Sequence, residues 1–129
     1  MKFRAVSEQT RMNYMMWSIK KEIQKENAFL NSLPYDPTPI LEVVNAHLDA
    51  WDPLQLLAMD GPEDEYEGEA RSITIYIAKH LTNLNEQLLS QGIRQVFTKS
   101  FGDEFQEHET SADVAASVLR ALRSLHIVQ

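Results

Sequence analysis

Residues 51–70 read WDPLQLLAMDGPEDEYEGEA and separate two stretches of helical periodicity. Pro53 disfavours α-helix at the residue before it, so a helix that arrives from the N-terminal side is predicted to end near Trp51 or Asp52. Asp52 also suits a helix N-cap and Pro53 a first helical position, which predicts a short helical turn over residues 53–58. The rest of the chain therefore has to fold around a break in this region.

Gly61 and Pro62 break the chain a second time, and the next helix is predicted to begin between Pro62 and Asp64. Six acidic residues fall within residues 60–69. The positive end of a helix dipole favours carboxylates by roughly 0.3–1 kcal/mol each, but six carboxylates repel one another and exceed what a helix start needs. One interpretation is a solvated helix start. The other is an acidic face for a basic partner, formed by Asp60, Glu63, Asp64, Glu65 and Glu67.

Apolar residues recur at spacings of three and four on both sides of this region, which is typical of amphipathic helices. The spacing 66-70-73-77-81 predicts a helix, although the alternation of Ile73, Ile75 and Ile77 also suits a strand. The full pattern predicts an all-α, single-domain bundle of about five helices, with a short extra helical turn after the WDP motif. Its predicted core contains Trp51, Tyr66, Ile73, Ile77, Ile93, Phe97 and Leu122.

The 129 residues are predicted to form one domain. It begins with a first helix and a proline-rich connector and continues with the central helices. An acidic surface loop over residues 103–109 and a last helix, whose apolar face includes Leu125, complete it. The corresponding segments are residues 1–37, 38–102 and 103–129.

Local residue chemistry predicts where several helices begin and end. Thr38 followed by Pro39 predicts an N-cap and a first turn for the second helix. Asn83 or Asn85 is the predicted cap of the fourth helix, because asparagine side chains accept from free backbone N–H groups. Gly102 is the predicted C-terminal stop of the same helix.

The first helical pattern begins near Ser7 and is rich in methionine. Glu26 is the one lapse in its apolar stripe, and both Glu22 and Glu26 are predicted to face outward. This helix either packs on its own domain or forms a helix–helix dimer face, since methionine adapts to irregular surfaces. Its stripe consists of Met12, Met16, Ile19, Ile23 and Leu30.

The net charge of −7 is unevenly distributed along the chain. Residues 1–30 hold six basic and three acidic residues, and the remainder holds six basic and sixteen acidic residues. An acidic body disfavours nucleic-acid binding, which depends on neutralising phosphates. It favours attraction to a protein with a basic surface. The basic N-terminal segment is a further candidate for an electrostatic contact, in the same chain or in a neighbouring copy.

No motif for phosphate binding, nucleophilic catalysis or zinc binding occurs in the sequence, and there is no cysteine. The sequence therefore predicts no catalytic residue, no bound metal and no cofactor. An alternative is a small divalent-metal-dependent hydrolase, in which Glu65 and Glu69, one helical turn apart, act with Asp64 or Asp60. No apolar run reaches the ~20 residues that span a bilayer and no secretion segment precedes the first helix, which predicts a cytoplasmic protein without membrane contact.

The segment from WDP to EA resembles the signature of the YugE-like family, small helical bacterial proteins classed as a domain of unknown function. The resemblance covers about residues 40–102, and Val96-Phe97 and Phe101-Gly102 resemble the VF…FG ending of that family. In this chain Gly61 is followed directly by Pro62, which shortens the turn by one residue. The resemblance implies the fold and no activity. Its matching positions are Trp51, Asp52, Pro53, Leu56, Gly61, Pro62, Asp64, Glu65, Tyr66, Glu69 and Ala70.

These observations predict a non-catalytic protein-binding module with an acidic face. An inhibitor or a toxin-immunity protein is one concrete form, because charge complementarity speeds association with a basic partner. The alternatives are a structural or oligomeric scaffold, which includes a homodimer through the first helix, and the metal-dependent hydrolase.

Overall fold

The computed structural model describes residues 8–53, 66–105 and 110–128, with side chains from residue 20 onward apart from residue 104. These residues form five α-helices and one short 3₁₀ turn, and they contain no β-strand. The all-α prediction is therefore confirmed, and the stretch at residues 73–77 is helical. The helices are α1 (Glu8–Asn31), α2 (Thr38–Trp51), α3 (Glu67–Lys79), α4 (Glu86–Phe101) and α5 (Thr110–Ser124), and the 3₁₀ turn is Gly102–Glu104.

Helices α2 to α5 form a closed ring of four. Helix α2 packs against α3 and α5, and α4 completes the ring by packing against both α3 and α5. A hydrogen bond joins Asp52, after the end of α2, to Tyr66, before the start of α3. Trp51 at the end of α2 also contacts Phe97 near the end of α4 and Thr110 at the start of α5. Neighbouring helices in the ring therefore run in opposite directions.

Helix α1 lies outside this ring. Within the described residues, its backbone approaches that of α3 and of no other helix. Glu26 of α1 contacts Arg71 in the first half of α3, and the Phe29 ring lies beneath the ammonium of Lys79, the last residue of α3. The later residue of α1 contacts the later residue of α3, so α1 and α3 run in the same direction.

The predicted core residues occupy the centre of the ring. Tyr66, Ile77, Phe97 and Leu122 are 0% exposed, and Ile73 and Ile93 are 1% exposed. Trp51 is half-buried and packs against this core from its edge. The apolar spacing of α3 therefore identified the buried face correctly.

Several predicted helix ends are confirmed by their hydrogen bonds. Helix α2 ends where predicted: the Asp52 N–H donates to the carbonyl of Leu48 at 2.8 Å, and Asp52 adopts the left-handed conformation with φ 43°. The Asn85 side chain caps α4 by accepting from the Leu88 N–H at 2.8 Å. Gly102 ends α4 with φ 57°. Each of these ends depends on a residue whose side chain or backbone freedom suits it.

The predicted cap of α2 is wrong in its detail. The helix begins at Thr38, but Pro37 occupies the cap position and has no side-chain oxygen to offer. The carboxylate of Asp36 accepts from the Thr38 N–H at 3.0 Å. Hydrogen bonds from the Thr38 side chain and from its backbone hold the pKa of Asp36 below its usual range.

Helix α3 begins at Glu67, later than the predicted start between Pro62 and Asp64, which lie outside the described residues. Tyr66 takes the cap position with a non-helical backbone, φ −102° and ψ 15°, while its hydroxyl bonds to Asp52. A tertiary contact therefore sets this boundary. Residues 54–58 of the predicted helical turn also lie outside the described residues.

Two side chains lie where the sequence did not predict them. Phe105, assigned to a surface loop, is 2% exposed and packs into the core. Leu125, assigned to the core, is 53% exposed because α5 ends at Ser124. His126 then turns the chain with φ 60°, and the Ile127 N–H donates to the Leu122 carbonyl at 2.9 Å. This arrangement is a Schellman motif, in which Ile127 takes the apolar contact that Leu125 was expected to make.

Candidate functional site

One end of the ring is filled by aromatic side chains, and we call it the aromatic end. The ring of Phe97 lies at its centre. Trp51 meets Phe97 edge-on at 5.3 Å between ring centroids, and Phe105 stacks on Phe97 at 5.2 Å. Tyr66 and Phe101 lie at 5.9 Å and 5.8 Å from the same ring. Such pairs contribute about 0.5–1.5 kcal/mol each beyond the area they bury, so this end of the bundle is firmly packed.

Two polar contacts fix the aromatic end further. The Trp51 indole Nε1–H donates to the Thr110 hydroxyl at 3.0 Å, which joins the end of α2 to the start of α5. The Tyr66 hydroxyl donates to Asp52 Oδ1 at 2.6 Å. A short bond to a carboxylate is a strong hydrogen bond. It also holds Asp52 in a left-handed conformation, where glycine is the most frequent residue.

The Asp52–Tyr66 bond has a consequence for residues 53–65, which we call the acidic segment. Residues 53–65 connect Asp52 to Tyr66 in the sequence, and a hydrogen bond joins these two flanking residues. The two residues that flank the acidic segment are therefore held together, and both belong to the aromatic end.

The predicted partner-binding residues fall mainly within that segment. Asp60, Glu63, Asp64 and Glu65 lie outside the described residues, as do Gly61 and Pro62 of the predicted structural motif. Glu67 is described and is exposed in the first turn of α3. Glu69 lies in the same turn. Both carboxylates are placed where the helix dipole favours negative charge.

The motif residues that are described have structural roles. Trp51, Asp52 and Tyr66 form the ties of the aromatic end, and Pro53 follows the turn at Asp52. Trp51, Asp52 and Tyr66 therefore stabilise the two positions that flank the acidic segment.

A second surface feature is a groove of about 510 Å³ between α1, α3 and α4, which we call the α1 groove. Ile23, Ile75 and Val96 are half-buried and give it an apolar floor. Its charged lining comprises Glu22, Glu26, Glu69, Arg71 and Lys99.

Two polar contacts bridge the α1 groove. At its base, Glu26 accepts from Arg71 Nε at 3.1 Å and from the Ser72 hydroxyl at 2.6 Å. The side chains of Arg71 and Glu26 are 14% and 21% exposed, so the prediction that Glu26 faces outward is wrong. At the mouth, Lys99 of α4 contacts Glu22 of α1 at 3.2 Å, and these side chains are 78% and 63% exposed. Helix α1 is thus tied to α3 by a shielded contact and to α4 by an exposed one.

The sequence contains one indication that Glu26 faces a neighbouring helix. A glutamate interrupts an otherwise apolar stripe at a place where an apolar residue is expected. Its partners, Arg71 and Ser72, are far away in the chain, and the sequence pattern does not connect them with Glu26. An interruption of this kind indicates a specific polar partner on the facing helix, because a buried carboxylate has to be paired.

Among the described residues, no group of three His, Asp or Glu side chains is arranged to hold a metal ion. Three of the four residues named for the metal hypothesis, Asp60, Asp64 and Glu65, lie outside that part of the chain, so the hypothesis stays a prediction. Two tyrosines are perturbed, since burial raises the pKa of Tyr35 and of Tyr76. The Tyr76 ring lies against the His80 ring, with 4.5 Å between the ring centroids.

No helix within the described ranges is long and apolar enough to cross a bilayer.

In comparisons with known proteins, the chain matches no family model, no curated protein and no solved structure. The resemblance to the YugE-like family therefore stays a prediction.

Proposed function

We propose that this protein is a non-catalytic binding module that recognises a protein with a basic surface through its acidic face, formed by Asp60, Glu63, Asp64, Glu65 and Glu67. The observation that carries the proposal is the Asp52–Tyr66 hydrogen bond of 2.6 Å, which anchors both ends of the acidic segment on the aromatic end. Anchoring of this kind reduces the conformational entropy that a segment loses on binding.

The charge of the segment supports the same proposal. Residues 53–65 contain four acidic residues and no basic residue, and Glu67 and Glu69 follow in the first turn of α3. A single-sign surface attracts partners of opposite charge and raises the association rate. An inhibitor or toxin-immunity protein is one form that such a module takes. We place the interaction in the cytoplasm, with which a chain lacking cysteine is compatible.

The test compares three forms of the protein as bait in a lysate of the native host. The first is the wild type, and the second carries Glu63→Lys, Glu65→Lys and Glu67→Lys. The matched control reverses three exposed acids on other surfaces, which gives it the same net charge as the second form. These are Glu42→Lys, Glu86→Lys and Asp113→Lys.

The wild type and the control are expected to retain one stoichiometric basic protein at about 0.1 M salt and to release it near 1 M, where charges are screened within about 3 Å. The variant of the acidic face is expected to retain none at either salt while its circular dichroism stays helical. An equal loss of the partner in the two triple variants would show that net charge, rather than this face, holds the partner. Full retention by the variant of the acidic face would refute the proposal.

A further inference from the structure

The α1 groove combines an apolar floor with a weak closure at its mouth. Ile23, Ile75 and Val96 remain half-buried beneath it. The contact across the mouth, between Glu22 and Lys99, is formed by two strongly exposed side chains. Exposed pairs of this kind contribute about 0–1 kcal/mol, so little opposes their rearrangement. A partner that covers the floor gains apolar burial and gives up only this contact.

The length of α1 indicates what reaches such a groove. Helix α1 has 24 residues and α3 has 13, which correspond to about 36 Å and about 20 Å. The stretch of α1 from Glu22 to Phe29 already lies beside the groove and α3. Since the two helices run in the same direction, residues 8–19 continue by up to about 21 Å beyond Glu22, past the first turn of α3.

The sequence of residues 8–21 complements the groove. Met12, Met16 and Ile19 continue the stripe that Ile23 occupies on the same helix. Residues 8–21 hold three basic residues and one acidic residue, whereas the groove is lined by three glutamates and two basic residues. Apolar side chains on one face, with basic residues around them, match an apolar floor with an acidic excess at its rim.

The same copy cannot supply this occupant. Helix α1 is continuous over Glu8–Asn31, and its own Glu22, Ile23 and Glu26 form one wall of the groove. A straight helix cannot turn back into a groove that it lines. A second copy of the chain has no such restriction, and a two-fold arrangement uses each contact twice.

We infer that this protein forms a two-fold dimer in which the first half of α1 of each copy lies in the α1 groove of the other. Residues 12–16 of one copy then face residues 22–26 of its partner, and the two helices are antiparallel. The two-fold axis crosses the helix pair close to Ile19, midway between these stretches. This inference is independent of the proposed function, because it uses the groove and not the acidic segment.

The absence of cysteine allows a direct test by disulfide cross-linking. In the proposed dimer, position 19 of each copy is next to the two-fold axis, so the Ile19→Cys pair is expected within the Cα separation of about 7 Å that a disulfide spans. The matched control is Ala112→Cys, at an exposed position of α5. Under mild oxidation, Ile19→Cys is expected to cross-link at least about tenfold faster than the control, since dimerisation raises the effective thiol concentration.

Light scattering from micromolar to sub-millimolar protein provides the second measurement. The wild type is expected to show twice the chain mass of 14.8 kDa. Val96→Asp, which charges the groove floor, is expected to show the monomer mass with unchanged circular dichroism. A monomeric wild type overturns the inference, and so does a dimer whose Ile19→Cys form cross-links no faster than Ala112→Cys, because that dimer uses another surface.

Discussion

Replacing Tyr66 with phenylalanine tests whether the tie at the base of the acidic segment stabilises the fold. Tyr66 is 0% exposed, and its hydroxyl donates to Asp52 Oδ1 at 2.6 Å. A hydrogen bond to a charged group contributes roughly 1.5–3 kcal/mol. Because Asp52 is only half-buried, water replaces part of what the hydroxyl provides. We therefore expect the free energy of unfolding to fall by about 1.5–2 kcal/mol, the lower part of that range.

Urea unfolding measures this change. It is followed by circular dichroism for the helices and by tryptophan fluorescence, because Trp51 adjoins the site. The midpoint is expected to fall while the slope m stays constant, since the surface exposed on unfolding hardly changes. In thermal unfolding, a domain of this size shifts by about 4 °C per kcal/mol, so a decrease of roughly 6–8 °C is expected.

Tyr35→Phe is the matched control for the loss of a hydroxyl. The Tyr35 hydroxyl is buried and finds no hydrogen-bond partner among the described residues, and burial raises the pKa of Tyr35. A buried polar atom without a partner costs roughly 1–3 kcal/mol, so its removal is expected to leave stability unchanged or raise it by about 1 kcal/mol. An equal loss in both variants would refute the reasoning, because it would then reflect the removal of any tyrosine hydroxyl and not the bond to Asp52.

Two further substitutions are predicted from local geometry. In urea unfolding, Gly92→Ala is expected to lower the free energy of unfolding by about 1–3 kcal/mol, since the added Cβ would lie 2.5 Å from the Tyr76 ring. Gly68→Ala is expected to raise it by up to about 1 kcal/mol, because the added Cβ would lie 3.9 Å from the nearest side chain. Equal effects would contradict the close approach of α3 and α4. Asp36→Asn is expected to weaken the acid dependence of stability. Because the pKa of Asp36 is lower in the folded state than its ordinary value of 3.8, its carboxylate stabilises the fold above that pH. This stabilisation is lost as the pH falls and the carboxylate becomes protonated. Unfolding at about pH 2 and pH 6 measures this, and an unchanged pH dependence would exclude a contribution from Asp36.

The fold was predictable where one residue determines a local outcome. Asp52, Asn85 and Gly102 end or begin helices through their own side chains or backbone freedom. The spacing of α3 predicted its buried face for a similar reason, because a helix of fixed pitch places Ile73 and Ile77 on one side. Neither inference required knowledge of the neighbouring helices.

Contacts between distant parts of the chain were not predictable in this way. Gly92 lies against Tyr76, and the space for a side chain there is absent only because α3 and α4 pack closely. Phe105 follows a glycine in an acidic stretch, which resembles a surface loop, yet its ring stacks on Phe97. The candidate site shows the same division. The acidic composition was evident in the sequence, whereas the bond that closes the segment at Asp52 is a tertiary contact.

Salt concentration separates the two proposals, because they depend on different forces. The acidic face attracts its partner through exposed carboxylates, which salt screens as the Debye length falls from about 10 Å at 0.1 M to about 3 Å at 1 M. The dimer depends chiefly on covering Ile23, Ile75 and Val96, and burial of apolar surface is not weakened by screening. One protein sample at rising salt should therefore release its basic partner while keeping the mass of a dimer. Loss of both together would show that the basic first helix, rather than its apolar stripe, holds the two copies.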